Sequence, residues 1–222
     1  MTFVVTPVGA SGSCIALLEL ASIAAGLEVV DALLKQAEVD LLLCRAVSPG
    51  KYVVLFSGEV DAVSSSLRRA VEVGHDVLID RLFIPNVEPT LLNLVRRAVA
   101  GPSGTIAVAD DGLGESAGVA AGGSGSLALD ALGIIETLSV ASIIRAGDVA
   151  SKLASLTLVS LELARGIGGK SYVTFTGQVS DVEAGATAGA ADAEAAGLLV
   201  RRVVIPRPHE AMGDVLRGGP SA

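Results

Sequence analysis

The sequence has no tryptophan, and with two tyrosines and four phenylalanines its aromatic content is only 3%. Half of it is nevertheless apolar (51%), so the interior has to be built from Ala, Val, Leu and Ile, which suits helices packed closely on sheets. Cysteine is almost absent. Cys14 and Cys44 form no CxxC pair, so they build no disulfide or metal framework and fit a reducing cytoplasm. Basic density is also missing: the net charge is −8, and Arg68-Arg69, Arg96-Arg97 and Arg201-Arg202 are isolated pairs that read as solvated helix faces or strand ends. A nucleic-acid partner, which needs clustered Lys and Arg for phosphate contacts, is therefore not expected. No stretch approaches the roughly 18 to 20 apolar residues of a membrane span, so no membrane partner is expected either. Ala10-Ser11-Gly12-Ser13-Cys14 has the small residues of a lipoprotein signal, but no positive charge precedes it and Phe3-Val4-Val5 is a short apolar stretch. His75 and His209 lie in corresponding regions without matching positions, and no nucleophile–base set is visible, so the chain reads as a non-enzyme.

What the sequence does contain is a phrase written twice. Ala46-Val47-Ser48-Pro49-Gly50-Lys51 and Ala164-Arg165-Gly166-Ile167-Gly168-Gly169-Lys170-Ser171 both interrupt β-forming runs with a Gly- or Pro-rich turn. Each is followed by a second β-rich run that closes on a related phrase, Ser57-Gly58-Glu59-Val60 or Thr176-Gly177-Gln178-Val179. Constant spacing of this kind signals an internal duplication. It extends upstream: Glu19 and Glu136 end matching apolar runs, and Asp31 with Lys35 corresponds to Asp148 with Lys152. It also extends downstream, to Ile84-Pro85 and Ile205-Pro206. The offset between copies grows from 117 to 119 to 121 along the way, which calls for two small length differences near loops or element ends.

Each copy reads as strand, helix, strand, hairpin turn, strand, helix, strand. The first helix of the first copy has Ser22 as its cap, and Asp61 and Asp181 open the second helices. The order βαββαβ predicts two tandem ferredoxin-like units, an α/β (α+β) fold with an antiparallel sheet and helices on one face. Three segments follow: a first domain over 1–100 that ends in a tail helix from Val87 to Ala100, a Gly/Ala/Ser-rich linker over 101–130, and a second domain over 131–222. One or two helical turns are expected between Glu210 and Leu216.

Ala164 to Ser171 also satisfies a loose phosphate-loop pattern, which would make the chain a nucleotide-binding enzyme subunit. Such a loop must open a helix whose amides cradle phosphate, whereas Tyr172-Val173-Thr174-Phe175 are strand formers. Gly112-Leu113-Gly114-Glu115-Ser116-Ala117-Gly118 is one residue too long for a dinucleotide fingerprint and follows no strand. A ferredoxin-like regulatory trimer that binds a small effector is a further alternative.

Several segments carry a family resemblance. Ala131-Leu132-Gly133-Ile134-Ile135-Glu136-Thr137, the Asp148-to-Lys152 helix, Gly166-Ile167-Gly168-Gly169-Lys170 and above all Val204-Ile205-Pro206-Arg207-Pro208-His209-Glu210 resemble the signature segments of bacterial microcompartment shell domains. Two units in one chain are similar to the tandem-domain, trimeric members. The resemblance implies a homotrimeric, pseudo-hexameric tile in the shell of a cytoplasmic microcompartment, packed against other shell proteins and pierced by a pore for small metabolites. By the same resemblance, Val47, Ser48, Pro49 and Gly50 with Gly166, Ile167, Gly168 and Gly169 would line the pore, and Lys35, Lys152 and Arg207 would lie at the tile edge. The first copy has Asn86 in the position of Arg207, so its rim contact should differ. In a related trimeric shell protein the first turn carries a Cys that helps to hold an iron–sulfur cluster. Here that residue is Ser48 and a hydroxyl is a poor cluster ligand, so no cofactor and no metal are expected.

Overall fold

Each copy opens with an apolar strand; the first, Cys14–Leu20, is buried along its whole length, while in the second, Ala131–Thr137, Ile134 and Glu136 are half-exposed. The structure, a computed structural model, describes residues 14–100, 107–108, 129–164 and 166–216. The first domain contains β1 (Cys14–Leu20), α1 (Ile23–Gln36), β2 (Asp40–Val47), β3 (Lys51–Gly58), α2 (Val60–Val73) and β4 (Leu78–Ile84). α3 (Pro89–Ala100) and the two-residue β5 (Ala107–Val108) lead to the second domain. That domain contains β6 (Ala131–Thr137), α4 (Val140–Leu153), β7 (Thr157–Leu163), β8 (Ser171–Gly177), α5 (Val179–Ala195) and β9 (Leu199–Pro206), followed by α6 (Met212–Leu216).

The first sheet has the order β2-β3-β1-β4 and the second β5-β7-β8-β6-β9, with antiparallel neighbours throughout. This is the expected βαββαβ plan, with one addition. Ala107–Val108, inside the stretch read as linker, pairs with Leu161 and Ser160 and gives the otherwise bare edge of β7 a backbone partner. The Gly112–Gly118 segment lies outside the described residues.

The two length differences behind the drifting offset can be placed. Ala46 pairs with Tyr52 across the first hairpin and Leu163 with Ser171 across the second, so the second turn is two residues longer. α5 has 17 residues against 14 in α2, and the connection to the next strand is one residue shorter, three against four, which leaves the remaining drift of two.

Strand alternation divides the first domain's interior. Ala16, Leu18, Leu20, Val54 and Phe56 face α1 and α2, where Val29, Leu33, Val63 and Ala70 complete one cluster. α1 lies close to this sheet: a Cβ on Gly26 would fall 2.3 Å from the Tyr52 ring. On the opposite face Ile15, Leu17, Val53, Leu55, Leu82 and Ile84 join a second cluster. Through Leu91, Leu94 and Val95 of α3, that cluster continues into Val140, Ile143 and Ile144 of α4 and the interior of the second domain. The domain's own helices thus share one face of the sheet, and the neighbouring domain covers the other.

α3 corrects one sequence expectation. Arg96 and Arg97 are half-buried rather than solvated, on a helix that packs on β7 and on α4. Arg68, Arg69, Arg201 and Arg202 are exposed, as expected.

Candidate functional site

The hairpin turns at 47–50 and 164–170 and the junction between the domains form one region, because the junction brings the turns together. Its centre is Glu19, at 0% exposure. One carboxylate oxygen accepts from Ser139 Oγ at 2.8 Å and from the Ala141 amide at 3.0 Å; the other accepts from Lys51 Nζ at 3.2 Å. Ser139 is the N-cap of α4 and accepts from the Ser142 amide at 3.1 Å. Glu19 therefore places a negative charge on the N-terminal turn of a 14-residue helix from the other domain, where unpaired amides and the helix dipole favour it. Lys51 extends the link by donating to the Leu138 carbonyl at 2.7 Å. Asp80 of β4 shares the single Ser139 hydroxyl proton with Glu19 and, at 3.0 Å, accepts from Ser142 Oγ.

The junction continues outward along α4. Arg145 donates to the Arg81 carbonyl at 2.8 Å. Asp148, 6% exposed, accepts from the Glu88 amide at 2.9 Å, at the start of α3. Lys152 pairs with Asp148 at 2.7 Å and donates to the Asn86 carbonyl. Of the residues expected at the edge of a tile, Lys152 thus bridges the two domains. Lys35 is exposed and pairs with Asp31 at 2.6 Å on its own helix. Arg207 is exposed, with φ 48°, and its amide donates to the Asp130 carbonyl at 2.9 Å.

The turns meet where Gly169, in the left-handed region at φ +80°, passes the first turn so closely that a Cβ would lie 2.5 Å from the Ser48 carbonyl oxygen. Only glycine fits there. Arg45 adds a bond from β2 to the Leu163 carbonyl at 2.7 Å. Ser48, Pro49, Gly50, Gly166, Ile167 and Gly168 are exposed, whereas Gly169 is buried. Val47 is buried too, at 7% exposure, with its side chain in the core, so of the first turn's expected pore residues it offers backbone alone. Lys170 is followed by strand β8, not by a helix, which removes the phosphate-loop reading of Ala164 to Ser171.

The donors at the first turn do not fit an iron–sulfur cluster. Ser48 offers a hydroxyl, and burial pushes the thiol of Cys44, at the centre of β2, up to about 12, so it stays protonated at neutral pH.

The comparisons with known proteins agree with this architecture. The BMC domain model matches residues 14–87 and again 131–208. The chain is 38% identical over 201 residues to the bacterial microcompartment shell protein PduT of Citrobacter freundii, covering 89% of this chain and 94% of that protein. It is 38% identical over 87 residues to the microcompartment shell protein EutM of Salmonella typhimurium, covering 39% of this chain and 88% of EutM, which is about one domain. The crystal structure of a microcompartment protein from Desulfitobacterium hafniense DCB superposes with a TM-score of 0.68 at 40% identity, covering 91% of this chain and 98% of the other. The chain belongs to the BMC domain family and is a bacterial microcompartment shell protein with two BMC domains in tandem. No helix among the described residues is long and apolar enough to cross a membrane.

The Glu19 junction was not foreseen from the sequence. The matched pair Glu19 and Glu136, polar residues closing apolar strands, was the available signal.

Proposed function

We propose that the chain is a structural, non-catalytic tile in which three copies join head to tail into a pseudo-hexameric ring. The hairpin turns surround a central opening for small polar metabolites. Neighbouring tiles and other shell proteins meet along a rim that carries Lys35, Lys152 and Arg207.

One observation carries this reading: the surfaces that form the junction inside the chain have counterparts, one on each domain, that face solvent. α4 buries Val140 and Ile144 at 1% and 0% exposure, while the corresponding residues of α1, Ile23 and Leu27, stand at 46% and 57%. On the sheet face that meets the other domain, Leu17, Leu82 and Ile84 are buried, whereas their counterparts Ile134, Val203 and Ile205 are half-exposed. Two unlike surfaces that fit each other make a heterologous contact, and repeating it closes a ring where the rotation between neighbours completes a turn, as the proposed three copies would. In that contact Glu136 takes the place of Glu19 on the N-terminus of α1, capped by Ser22, and Lys170, already 3.0 Å from Glu136, takes the place of Lys51. Glu28, which corresponds to Arg145, then lies beside Arg202, which corresponds to Arg81.

Light scattering or native mass spectrometry should give three chains per particle; a monomer or dimer at micromolar concentration overturns the ring. Electron microscopy of concentrated protein should show flat sheets, whereas a regulatory trimer would remain as discrete particles. With Ser48 at the turn, the ring carries no iron–sulfur cluster, and stoichiometric iron with a brown absorbance would contradict that.

A further inference from the structure

A groove of 760 Å³ runs between α2 and β4 of the first domain and reaches Arg145 on α4 of the second. It lies wholly within one chain. The volume is in the range of small-molecule sites. Its apolar floor includes Leu67, Val71 and Phe83, the last 38% exposed. Three guanidinium groups border that floor, from Arg68, Arg81 and Arg145, together with His75. The one carboxylate in the lining, Glu72, is 3.2 Å from Arg69, which is not part of the groove. A chain with a net charge of −8 has thus gathered three arginines around one apolar cleft.

The duplication supplies an internal control. A feature required only by the fold should recur in the other copy, but in the second copy Thr187 corresponds to Arg68, Ala191 to Glu72 and Val204 to Phe83, and in the first copy Glu28 corresponds to Arg145. Of the three arginines, only Arg81 has an arginine counterpart, Arg202. Arg68 and Arg145 are each present in one domain and replaced at the matching position of the other, although both domains fold on one plan, so these arginines and the aromatic ring are additions to the fold rather than parts of it.

We propose that this groove binds a small amphipathic anion, a carboxylate, sulfonate or phosphate ester with an apolar body, at one site per chain. The guanidinium groups receive the acidic head through their forked N–H donors, and the apolar body lies on Val71 and Phe83. Arg145 spends one of its donors on the Arg81 carbonyl, so an occupant would touch both sides of the domain junction.

The test uses the full chain and 8-anilinonaphthalene-1-sulfonate as probe, titrated by calorimetry with fluorescence in parallel. Binding of one probe per chain is expected. Arg68→Ala and Arg81→Ala should each weaken it about tenfold or more, the usual effect of losing a charged hydrogen bond. N-Phenyl-1-naphthylamine, the same ring system without the sulfonate, should bind at least about tenfold more weakly for the same reason. Both arginines are exposed, and unchanged melting of the variants establishes that they fold. Absence of binding, equal binding of the uncharged ring system, or full retention in both variants overturns the proposal.

Discussion

Glu19 and Glu136 occupy the same place in the two copies of one fold, yet Glu19 is fully buried against the helix of the other domain while Glu136 is 31% exposed beside Lys170. The same contrast runs through α1 and α4. Their N-caps are alike, Ser22 and Ser139, but the outward apolar residues are open on α1 and covered on α4. Duplication has therefore produced equivalent surfaces of which the chain satisfies half by itself. A fold with one complete and one incomplete junction explains how a sequence can be apolar at a mean hydropathy of +0.63 without a membrane-spanning helix among its described residues. In the proposed ring, part of that apolar surface would be covered by a second copy.

The largest expected effect breaks this comparison at its centre. Glu19→Ala leaves Lys51 and the α4 terminus without their buried partner and should cost about 3–5 kcal/mol of stability, measured by denaturant unfolding. Glu136→Ala should change chain stability by less than about 1 kcal/mol while loosening the assembly, because its carboxylate is partly solvated. Equal losses in the two variants would mean that the sites are not used differently. Next comes Leu27→Asp, which should lower association by about 3 kcal/mol and shift the measured mass toward the monomer with unchanged circular dichroism. Gly169→Ala tests whether the turns must touch. Its added carbon meets the Ser48 carbonyl and should cost about 1–3 kcal/mol in the melting of the chain. The smallest effect sharpens the electrostatic difference between the junctions. Glu28→Arg would face Arg202 and should weaken association by about 1 kcal/mol at low salt, with high salt or the added substitution Arg202→Glu restoring it.

Much of the fold was legible because its signals are local. Gly and Pro at 49–50 and glycines at 166–169 marked the hairpins, Ser22 marked a helix start, and the repetition of Gly-Lys and Ile-Pro made each half a check on the other. The junction was not legible, since Glu19 and Ser139 are 120 residues apart and nothing in either neighbourhood announces the other. Without a partner in view, Lys152 looks like any solvated helix lysine, and only the family resemblance marked it as a contact residue. Arg68 fared differently: it is exposed, as read, yet it borders a cleft formed between α2 and β4 and reached by Arg145 of α4. The strand at 107–108 was hidden for another reason, because its pairing answers the open edge of β7 and not its own composition.

The contact around Glu19 joins two parts of one polypeptide, so dilution cannot pull it apart. In the proposed ring of six domains made by three chains, alternate contacts would carry no concentration dependence, and of the three contacts between chains two would need a bimolecular encounter while the third closes the ring. Opening such a ring would always occur at the Glu136 side, leaving whole domain pairs ready to close again.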